Sequence, residues 1–597
     1  MAMTHSSLPA LLAQRARQHP DTTAYTFIDY EFDPAGFAES LTWAQVYRGA
    51  LAVAEELRLF GNAGDRAAIL APEGLSYIMA FLGVLQASFI AVPLPVPQFR
   101  IHDERVSAAL RDCSPSVILT TSAVLDEVAE YARAENGFTD TPVVTIDSLD
   151  LYSTRVFADL GQTYPRAAYL QYTSGSTRTP AGVIVSHRNV IANLDQGRAV
   201  YLNDFGDTPP PELRWVSWLP FHHDMGLFFT VFIPLYVGAP MHFMTPVAFL
   251  RRPARWMQLL GTAGLSYSCA PNFAYDLAAR LTSDRDMDGI DLGGVLALIN
   301  GSERVQPATI RRFNERFARY NLKETAILPS YGLAEATLCV AAPEFGRPVR
   351  TVSFAAQPLA DGHVKACTKG DPGAVEHVSY GPRRVEPGMC AVRIVNPDTH
   401  RENPPAAIGE IWLQGDNVAM GYWQKTGESQ RTFAAQIVDP SPGTPTGSWL
   451  RTGDLGVMFD GELFIMGRIK DLLIVDGRNH YPDDIETTIK ETTDGRVAAI
   501  SVSDDRGEQL VAIVELSGER AGPGAEQAAQ LRAIKREIKS AVSRSHGLRV
   551  FDLVLVPPGS IPFTTSGKVR RSACVERYRR NEFKRLDVSP SLLDEAW

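Results

Sequence analysis

From Ser40 to about Val340 the chain alternates helix-like apolar periodicity with short runs rich in β-branched and aromatic residues. These runs include RAAIL, SVILTT, VVTI, AAYLQYT, WVSWL, VLALIN and AILPSYG. Such alternation is typical of parallel sheets covered by helices, and it therefore predicts layered α/β architecture. Several runs end in small or polar residues, and open α/β sheets bind ligands at the carboxyl ends of their strands. We therefore expect a ligand site at those strand ends.

The pattern changes over 381–466, where strands bounded by Gly, Pro and Asn predict a smaller β-rich subdomain. Further on, PDDIETTIKE and AQLRAIKREIKSAVSRS indicate helices, and RVAAISVSD, QLVAIVEL and VFDLVLVP indicate strands. That last stretch is long enough to fold as an independent unit. The sequence thus predicts a large N-terminal domain over 1–466, a hinge over 467–471, and a small, mobile α+β domain over 472–597.

Composition excludes several classes of protein. The 597 residues are 45% hydrophobic and 21% charged, which is ordinary for a soluble globular chain and disfavours disorder, collagen and coiled coil. The formal net charge of −10 gives no global attraction to nucleic acid or to an anionic membrane. The longest apolar stretches, Tyr77 to Pro97 and Leu227 to Met244, are broken by Pro, Gln and Gly. They therefore indicate buried helix and strand rather than transmembrane segments.

The cysteines and the N-terminus bear on the compartment. Six cysteines are scattered without a CxxC pair, which suggests neither a disulfide framework nor a zinc ribbon. The N-terminal apolar run LPALLA is followed at once by Arg15 and Arg17 and is too short for the core of a signal peptide. We therefore expect a cytoplasmic protein without an export signal.

The most specific local signal is a turn between the runs AAYLQ and VIVS, formed by Thr173, Ser174, Gly175, Ser176 and Thr177. Consecutive hydroxyls and backbone N–H groups around a glycine form a cradle that satisfies the oxygens of a polyphosphate. Taken alone, a Ser/Thr-rich turn is more often an ordinary surface turn. The motifs further along the chain favour the phosphate interpretation.

Four further motifs follow this phosphate turn in order: YGLAEAT from Tyr331, RTGDL from Arg451, GRIKD from Gly467 and TSGK from Thr565. The order and spacing of the five motifs resemble the adenylate-forming superfamily, which includes acyl-CoA synthetases, luciferases and the adenylation domains of peptide synthetases. The resemblance covers essentially the whole chain. It implies ATP-dependent activation of a carboxylate as an acyl-adenylate.

Within that superfamily the chain is most similar to the fatty acyl-AMP ligases. Most members of the superfamily have Gly where this chain has Arg178 and Lys where it has Ala181, and the acyl-AMP ligases share this departure. An extra segment, residues 342–379, resembles the insertion that marks these ligases. The alternative, a surface loop without function, is uncommon in compact domains.

The resemblance implies roles for residues of the nucleotide site. Glu335 would hold a Mg²⁺ ion that bridges the ATP phosphates, since Mg²⁺ usually takes one or two protein carboxylates. An isolated Glu335 would more simply be an acidic residue at a helix start. Asp454 is predicted to follow a strand and a tight Thr-Gly turn and would accept the ribose hydroxyls, although an isolated Asp after Thr-Gly is more often a turn residue. The residues implied around the rest of the nucleotide are Gly301, Ser302, Glu303, Tyr331, Gly332, Leu333 and Arg468.

His222 and His223 precede Asp224 and invite a metal-site interpretation. Two adjacent histidines do not face the same way on a helix, and no further ligands follow at zinc spacing, so a metal site is disfavoured. The resemblance instead places His223 beside the acyl carboxylate, as the gate of the acyl pocket. The apolar run that follows, LFFTVFIPLYVGAPMHFM, fits pocket wall and plain core equally well.

Lys568 lies in the polar loop PFTTSGK of the C-terminal domain. An isolated exposed lysine is normally just a solubilising charge. Within the motif, its point charge suits the oxygens that gain charge as a carboxylate attacks the α-phosphorus. Lys470 marks the hinge about which that domain would turn.

These features predict a ligase that uses ATP and Mg²⁺ to convert a fatty acid into its acyl-adenylate and pyrophosphate, chiefly by positioning and charge stabilisation. The resemblance implies transfer of the acyl group to the phosphopantetheine of an acyl carrier protein or polyketide synthase. The alternative, a fatty acyl-CoA synthetase, is disfavoured by the insertion and by Ala181. A regulatory or scaffold protein without chemistry is disfavoured because Glu335, Asp454 and Lys568 are all present.

Overall fold

The chain was analysed as a computed structural model. The structure describes residues 7–97, 104–134, 138, 140–151, 164–172, 180–202, 209–382, 388–475, 478–493, 495–504, 507–516, 525–563 and 568–587. The phosphate turn, Thr173 to Thr177, lies outside the described residues, and so do Thr565 to Gly567 of the last motif.

One six-stranded sheet carries the flanks of the phosphate turn. Its strand order is β6-β5-β3-β4-β7-β8. The strands are β3 (Arg66–Ile69), β4 (Ile90–Pro93), β5 (Val117–Thr120), β6 (Val143–Thr145), β7 (Ala167–Tyr172) and β8 (Gly182–Ser186). All pairs are parallel except β7 with β8, which are antiparallel. The phosphate turn is therefore the connection between two paired strands.

A second, seven-stranded sheet has the order β13-β12-β11-β9-β10-β1-β2. Its strands are β1 (Thr23–Asp29), β2 (Phe37–Thr42), β9 (Arg214–Ser217), β10 (Met241–Phe243), β11 (Ser266–Pro271), β12 (Val295–Gly301) and β13 (Ile327–Pro329). Only β2, at one edge, is antiparallel to its neighbour. The short hairpin β14 (Tyr331–Gly332) and β15 (Cys339–Ala341) follows this sheet.

Helices cover both sheets, and one large apolar core joins them. They are α1 (Leu8–Gln18), α2 (Trp43–Leu57), α3 (Leu75–Gln86), α4 (Glu104–Cys113), α5 (Leu125–Ala134), α6 (His187–Tyr201), α7 (Asp224–Leu227), α8 (Ile233–Val237), α9 (Pro246–Arg251), α10 (Ala254–Thr262), α11 (Asn272–Leu281) and α12 (Pro307–Phe317). A capping box between Thr42 and Gln45 starts α2, and its buried positions recur every three or four residues, so one face of the helix packs into the core.

The β-rich part is a six-stranded antiparallel sheet of order β16-β17-β21-β20-β19-β18, flanked by α13 (Ala356–Ala360) and α14 (Thr426–Phe433). Its strands are β16 (Thr351–Ala355), β17 (Ala374–Pro382), β18 (Ala391–Val395), β19 (Gly409–Gln414), β20 (Leu450–Phe459) and β21 (Glu462–Arg468). The sheet thus begins at Thr351, and the boundary predicted at 381 falls inside β17. The extra segment 342–379 supplies the edge strand of the sheet, so it is not a loose surface loop.

The C-terminal part begins after a single 3₁₀ turn, Ile469–Asp471, that contains Lys470. Its elements are β22 (Leu473–Val475), β23 (Arg478–His480), α15 (Pro482–Thr492), β24 (Val497–Asp504), β25 (Gly507–Glu515), α16 (Ala525–His546), β26 (Val550–Val556) and α17 (Arg571–Arg579). Helices α15 and α16 pack on one face of the sheet β24-β25-β26 and α17 on the other. Residues 467 and 468 of the predicted hinge belong to β21.

The predicted α/β fold class is confirmed, with a β-rich sheet and a small α+β C-terminal part. Within the described ranges, every helix is too short or too polar to cross a membrane. All six cysteines lie in those ranges and none forms a disulfide, as expected from their scattered positions.

Candidate active site

The carboxyl ends of β12 and β13 bring two of the predicted motifs together. These strands are parallel neighbours, so Gly301, Ser302 and Glu303 lie beside the segment that leads to Tyr331. Glu303 is fixed against α11, because its Oε1 accepts a hydrogen bond from the backbone N–H of Phe273 at 2.6 Å. Burial raises the pKa of Glu303 to about 7. Glu303 therefore makes a structural hydrogen bond to Phe273 in addition to its predicted role beside the nucleotide.

The Asp454 carboxylate is buried and held by two side chains. Tyr331 donates its hydroxyl to Oδ2 at 2.8 Å, and Nε of Arg468 lies 3.0 Å from Oδ1. The charge of Asp454 raises the pKa of the Arg468 guanidinium. An ionised carboxylate has about four acceptor positions, so two bonds leave Asp454 able to accept the hydroxyls of a ribose.

Asp454 does not follow a strand and turn, as the sequence suggested, but lies inside β20. The register between β19 and β20 shifts over these residues, and Gly453 has a φ of +69°. The backbone N–H of Asp454 donates to the hydroxyl of Thr452 at 3.0 Å. The Thr-Gly pair therefore forms a bulge within the strand, and such bulges redirect a side chain.

Glu335 lies in a single 3₁₀ turn, Ala334–Ala336, between β14 and β15. Its Oε1 accepts the hydroxyl hydrogen of Tyr422 at 2.9 Å. Burial raises the pKa of Glu335, and the Tyr422 hydrogen bond and the charge of Arg468 oppose that rise. Glu335, Asp454 and Arg468 thus lie within electrostatic reach of one another. One three-residue turn gives little helix dipole, so the helix-start interpretation of Glu335 is not supported.

Gly332 and Leu333 set the position of this turn. The N–H of Leu333 donates to the carbonyl of Leu338 at 3.0 Å. A Cβ at position 332 would lie 1.8 Å from that same carbonyl oxygen. The hairpin therefore requires glycine there.

We expect Gly332→Ala to lower the free energy of unfolding by about 3 kcal/mol and to reduce activity, because a methyl group would displace the Glu335 turn. Thermal and denaturant unfolding measure the loss. Gly427→Ala is the matched control, since Gly427 lies in α14 and a Cβ there meets its nearest atom at 3.7 Å. Equal stability of the two variants would contradict the close packing of this hairpin.

His222 and His223 lie in the loop between β9 and α7. Burial, reinforced by the charge of Lys568, lowers the pKa of His223 to about 4, so the ring is neutral at pH 7. A Cβ on Gly226 would lie 2.0 Å from the carbonyl oxygen of Pro220, so the loop is held tightly against α7. Among the described residues, no three His, Cys, Asp or Glu side chains form a metal cluster.

The apolar run after these histidines is buried in the main core. It forms α7, a five-residue π-helix (Phe228–Phe232) and α8. Phe232 packs against the rings of Phe81 in α3 and Tyr169 in β7. The run therefore serves the core, and a role as pocket wall stays a prediction.

Lys568 reaches this site from the C-terminal part. Desolvation and the charge of Arg468 lower its pKa, and the carboxylates of Asp224, Glu303 and Asp454 oppose the shift. An isolated bridge between Phe563 and Val569 closes the base of its loop. The structure thus brings Lys568 and the strand-end motifs together across more than one hundred residues of sequence.

Salt bridges between the two parts of the chain were missed by sequence reasoning. Arg304 lies 2.6 Å from Asp484 of α15, and its other contact is Nδ1 of His377 at 3.1 Å. Asp484 is buried and Arg304 is largely buried, so the pair is a contact between the C-terminal part and the rest of the chain that is shielded from solvent. Arg304 directly follows the Gly301 to Glu303 motif, but no local pattern identifies its partners.

Arg571 makes a second such network, between the Lys568 loop and the hinge. It contacts Asp483 at 2.6 Å and Glu486 at 2.9 Å, and Asp471 of the hinge turn at 3.5 Å. Burial and the charge of Arg468 lower the pKa of the neighbouring Lys470. These contacts therefore join the hinge turn to the C-terminal part.

Comparison with known proteins places the chain in a family. Residues 12–423 match the model of the AMP-binding enzyme family. Residues 470–588 match the AMP domain described as Disco-interacting protein 2-like. The long-chain-fatty-acid–AMP ligase FadD26 of Mycobacterium marinum is 59% identical over 99% of this chain and 100% of its own length. The 4-hydroxyphenylalkanoate adenylyltransferase of Mycobacterium tuberculosis is 57% identical over 98% of this chain and 94% of its own.

Solved structures agree. The fatty acyl-adenylate ligase of L. pneumophila, solved with acyl adenylate and pyrophosphate, is 30% identical with a TM-score of 0.72, and the match covers 96% of each chain. A structure from studies of fatty acyl-adenylate ligases of E. coli and L. pneumophila has a TM-score of 0.80 at 27% identity, covering 97% of this chain and 98% of its own. The predicted resemblance is therefore confirmed. The roles of individual residues stay predictions.

Proposed function

This chain belongs to the AMP-binding enzyme family and, within it, to the long-chain-fatty-acid–AMP ligases, and from that premise we propose the reaction and the roles of its residues. A fatty-acid carboxylate oxygen attacks the α-phosphorus of ATP, the bond to the bridging oxygen breaks, and pyrophosphate leaves with the electron pair. The observation that carries this proposal is the convergence of Asp454, Glu335 and Lys568 at the ends of β12 to β14.

Each group has a task that its surroundings suit. Asp454, fixed by Tyr331 and Arg468, accepts the ribose hydroxyls. Neutral His223 lies beside the incoming carboxylate without adding a charge that would hold it back. Lys568 stabilises the charge that develops on the bridging oxygens, in a setting that excludes much of the water.

The donor set at Glu335 fits Mg²⁺. It offers one partly buried carboxylate oriented by the Tyr422 hydroxyl. Mg²⁺ keeps several waters and is usually bound through one or two protein carboxylates together with phosphates. Bound there, the ion would neutralise phosphate charge. The rest of the positioning is done by the protein side chains already described.

We expect Glu335→Ala to raise the Mg²⁺ concentration for half-maximal activity by about tenfold, because the ion would lose its protein carboxylate. Pyrophosphate exchange measured across a Mg²⁺ titration tests this. Tyr422→Phe is the matched control, since it keeps the carboxylate and removes only the hydroxyl that orients it. An unchanged metal dependence in Glu335→Ala would remove the metal role.

The acyl group and the acceptor are part of the proposal. The names of the relatives span long-chain fatty acids and 4-hydroxyphenylalkanoates, so we propose a fatty acid with a long, largely apolar chain. The acceptor is the phosphopantetheine thiol of an acyl carrier protein or polyketide synthase. Cytoplasmic location is consistent with six cysteines that form no disulfide.

Mass spectrometry of products tests the whole proposal. The protein is incubated with ATP and a fatty-acid mixture, with and without coenzyme A, and the adenylate is sought directly. We expect acyl-AMP in both incubations and no acyl-CoA. Absence of pyrophosphate exchange would instead favour a binding protein without chemistry.

A further inference from the structure

A strip of chain over 420–425, just before α14, runs beside the exit of the phosphate turn. The N–H groups of Met420 and Trp423 donate to the carbonyls of Ile184 and Gly182, at 3.0 and 2.7 Å. The strip therefore adds a short edge to β8, the strand that leaves the turn. A strip so paired has a defined position relative to β8.

The strip ends in Lys425, whose backbone and side chain are both hydrogen-bonded. The carbonyl of Lys425 accepts the N–H of Ser429 in the first residues of α14, at 2.9 Å. Two residues earlier, the ring of Trp423 lies 5.5 Å from the guanidinium carbon of Arg66. The Lys425 side chain is partly buried, and its Nζ donates to the carbonyl of Pro180. An ordinary surface lysine extends its head into solvent instead.

The chain around the phosphate turn has little positive charge of its own. Arg178 is its one basic residue between Tyr172 and Gly182, and position 181 is alanine. A bound triphosphate carries several negative charges. A cation stabilises these charges more strongly the shorter its distance from the phosphate oxygens. Something outside the turn must therefore contribute positive charge.

We infer that Lys425 is the cation that holds the exit of the phosphate turn and neutralises the triphosphate there. An ammonium has three donors, so the bond to Pro180 leaves two for phosphate oxygens. The same strip carries Tyr422, whose hydroxyl orients Glu335. The strip 420–425 thus contacts both the exit of the phosphate turn, through Lys425, and the predicted metal ligand Glu335, through Tyr422. The inference rests on the proposed function, because it assumes ATP as the ligand.

The test is Lys425→Met, assayed by pyrophosphate exchange dependent on fatty acid. We expect the KM for ATP and the KM for pyrophosphate to rise about tenfold, because both ligands carry the affected phosphates. The KM for the fatty acid should stay within twofold. Lys425→Arg should keep most of the ATP affinity, since the charge is retained.

A second-site variant separates charge from packing. Lys425→Met combined with Ala181→Lys restores a cation one residue from Pro180, and we expect it to recover ATP affinity. Lys323→Met is the matched control, because Lys323 is exposed and lies far along the chain from the turn. Thermal unfolding of every variant shows whether the fold is intact.

Each outcome decides the inference. An unchanged KM for ATP in Lys425→Met overturns it and leaves the proposed function standing. A raised KM that neither Lys425→Arg nor Ala181→Lys corrects shows a packing role and also overturns it. Absence of pyrophosphate exchange in the unaltered protein refutes the proposed function, and this inference with it.

Discussion

We expect Lys568→Ala to lower acyl-adenylate formation by about 10²-fold or more, because one preorganised charge at a developing oxyanion contributes roughly 3 kcal/mol. The structure supports a large effect. Lys568 belongs to the C-terminal loop, and it lies within electrostatic reach of three carboxylates, those of Asp224, Glu303 and Asp454. Single-turnover formation of acyl-AMP measures the loss, and calorimetry should show nucleotide binding nearly unchanged.

Lys539→Ala is the matched control, since Lys539 is an exposed lysine of α16 in the same part of the chain. Lys568→Arg keeps the charge but changes its geometry, so an intermediate rate is expected. Desolvation lowers the pKa of Lys568 below its ordinary value of 10.5. The charged form is lost as the pH rises through that lowered pKa, so activity should fall on the alkaline side. Near wild-type adenylation by Lys568→Ala would show that the loop lies outside the active site.

We expect the unaltered protein to accumulate acyl-AMP in the presence of coenzyme A, and we expect shortening of the segment 342–379 to permit some acyl-CoA formation. The structure gives the reason. Phe354, Leu359 and Val364 of that segment share an apolar cluster with Tyr481 of the C-terminal part, and Ile469 and Leu472 at the hinge pack against it. The C-terminal part must rotate before the thiol of coenzyme A can approach the adenylate, and this rotation must break the cluster. We therefore expect the segment to restrict rotation and to leave adenylation intact.

The register of the sheet allows a clean deletion. Ala355 of β16 pairs directly with Ala374 of β17, so residues 356–373 can be replaced by Asn-Gly, which favours a two-residue hairpin turn. This variant keeps the edge strand and removes α13 with its contacts. Adenylation is the internal control for folding, and Leu359→Ala is a milder variant that weakens the same cluster. Efficient acyl-CoA synthesis by the unaltered protein would contradict the ligase assignment.

Local patterns in the sequence were enough for the elements and for the family. The runs from RAAIL to AILPSYG are strands, because burial on both faces of a parallel strand leaves a short apolar run that needs no distant partner to be recognised. The order of the motifs identified an adenylate-forming ligase, which the comparisons confirm. Motif residues are recognisable because each belongs to a short stretch with its own local signature.

Tertiary structure alone decided how distant groups meet. The sequence indicated a turn before Asp454, but pairing between β19 and β20 makes it a bulge inside a strand. It gave no sign that Lys425 would reach Pro180, or that Arg304 would pair with Asp484. Periodicity records which side of an element is buried, whereas a contact between residues hundreds of positions apart depends on how sheets and domains pack. The residue types of the site could therefore be predicted from the sequence, whereas their arrangement in space was determined by tertiary packing.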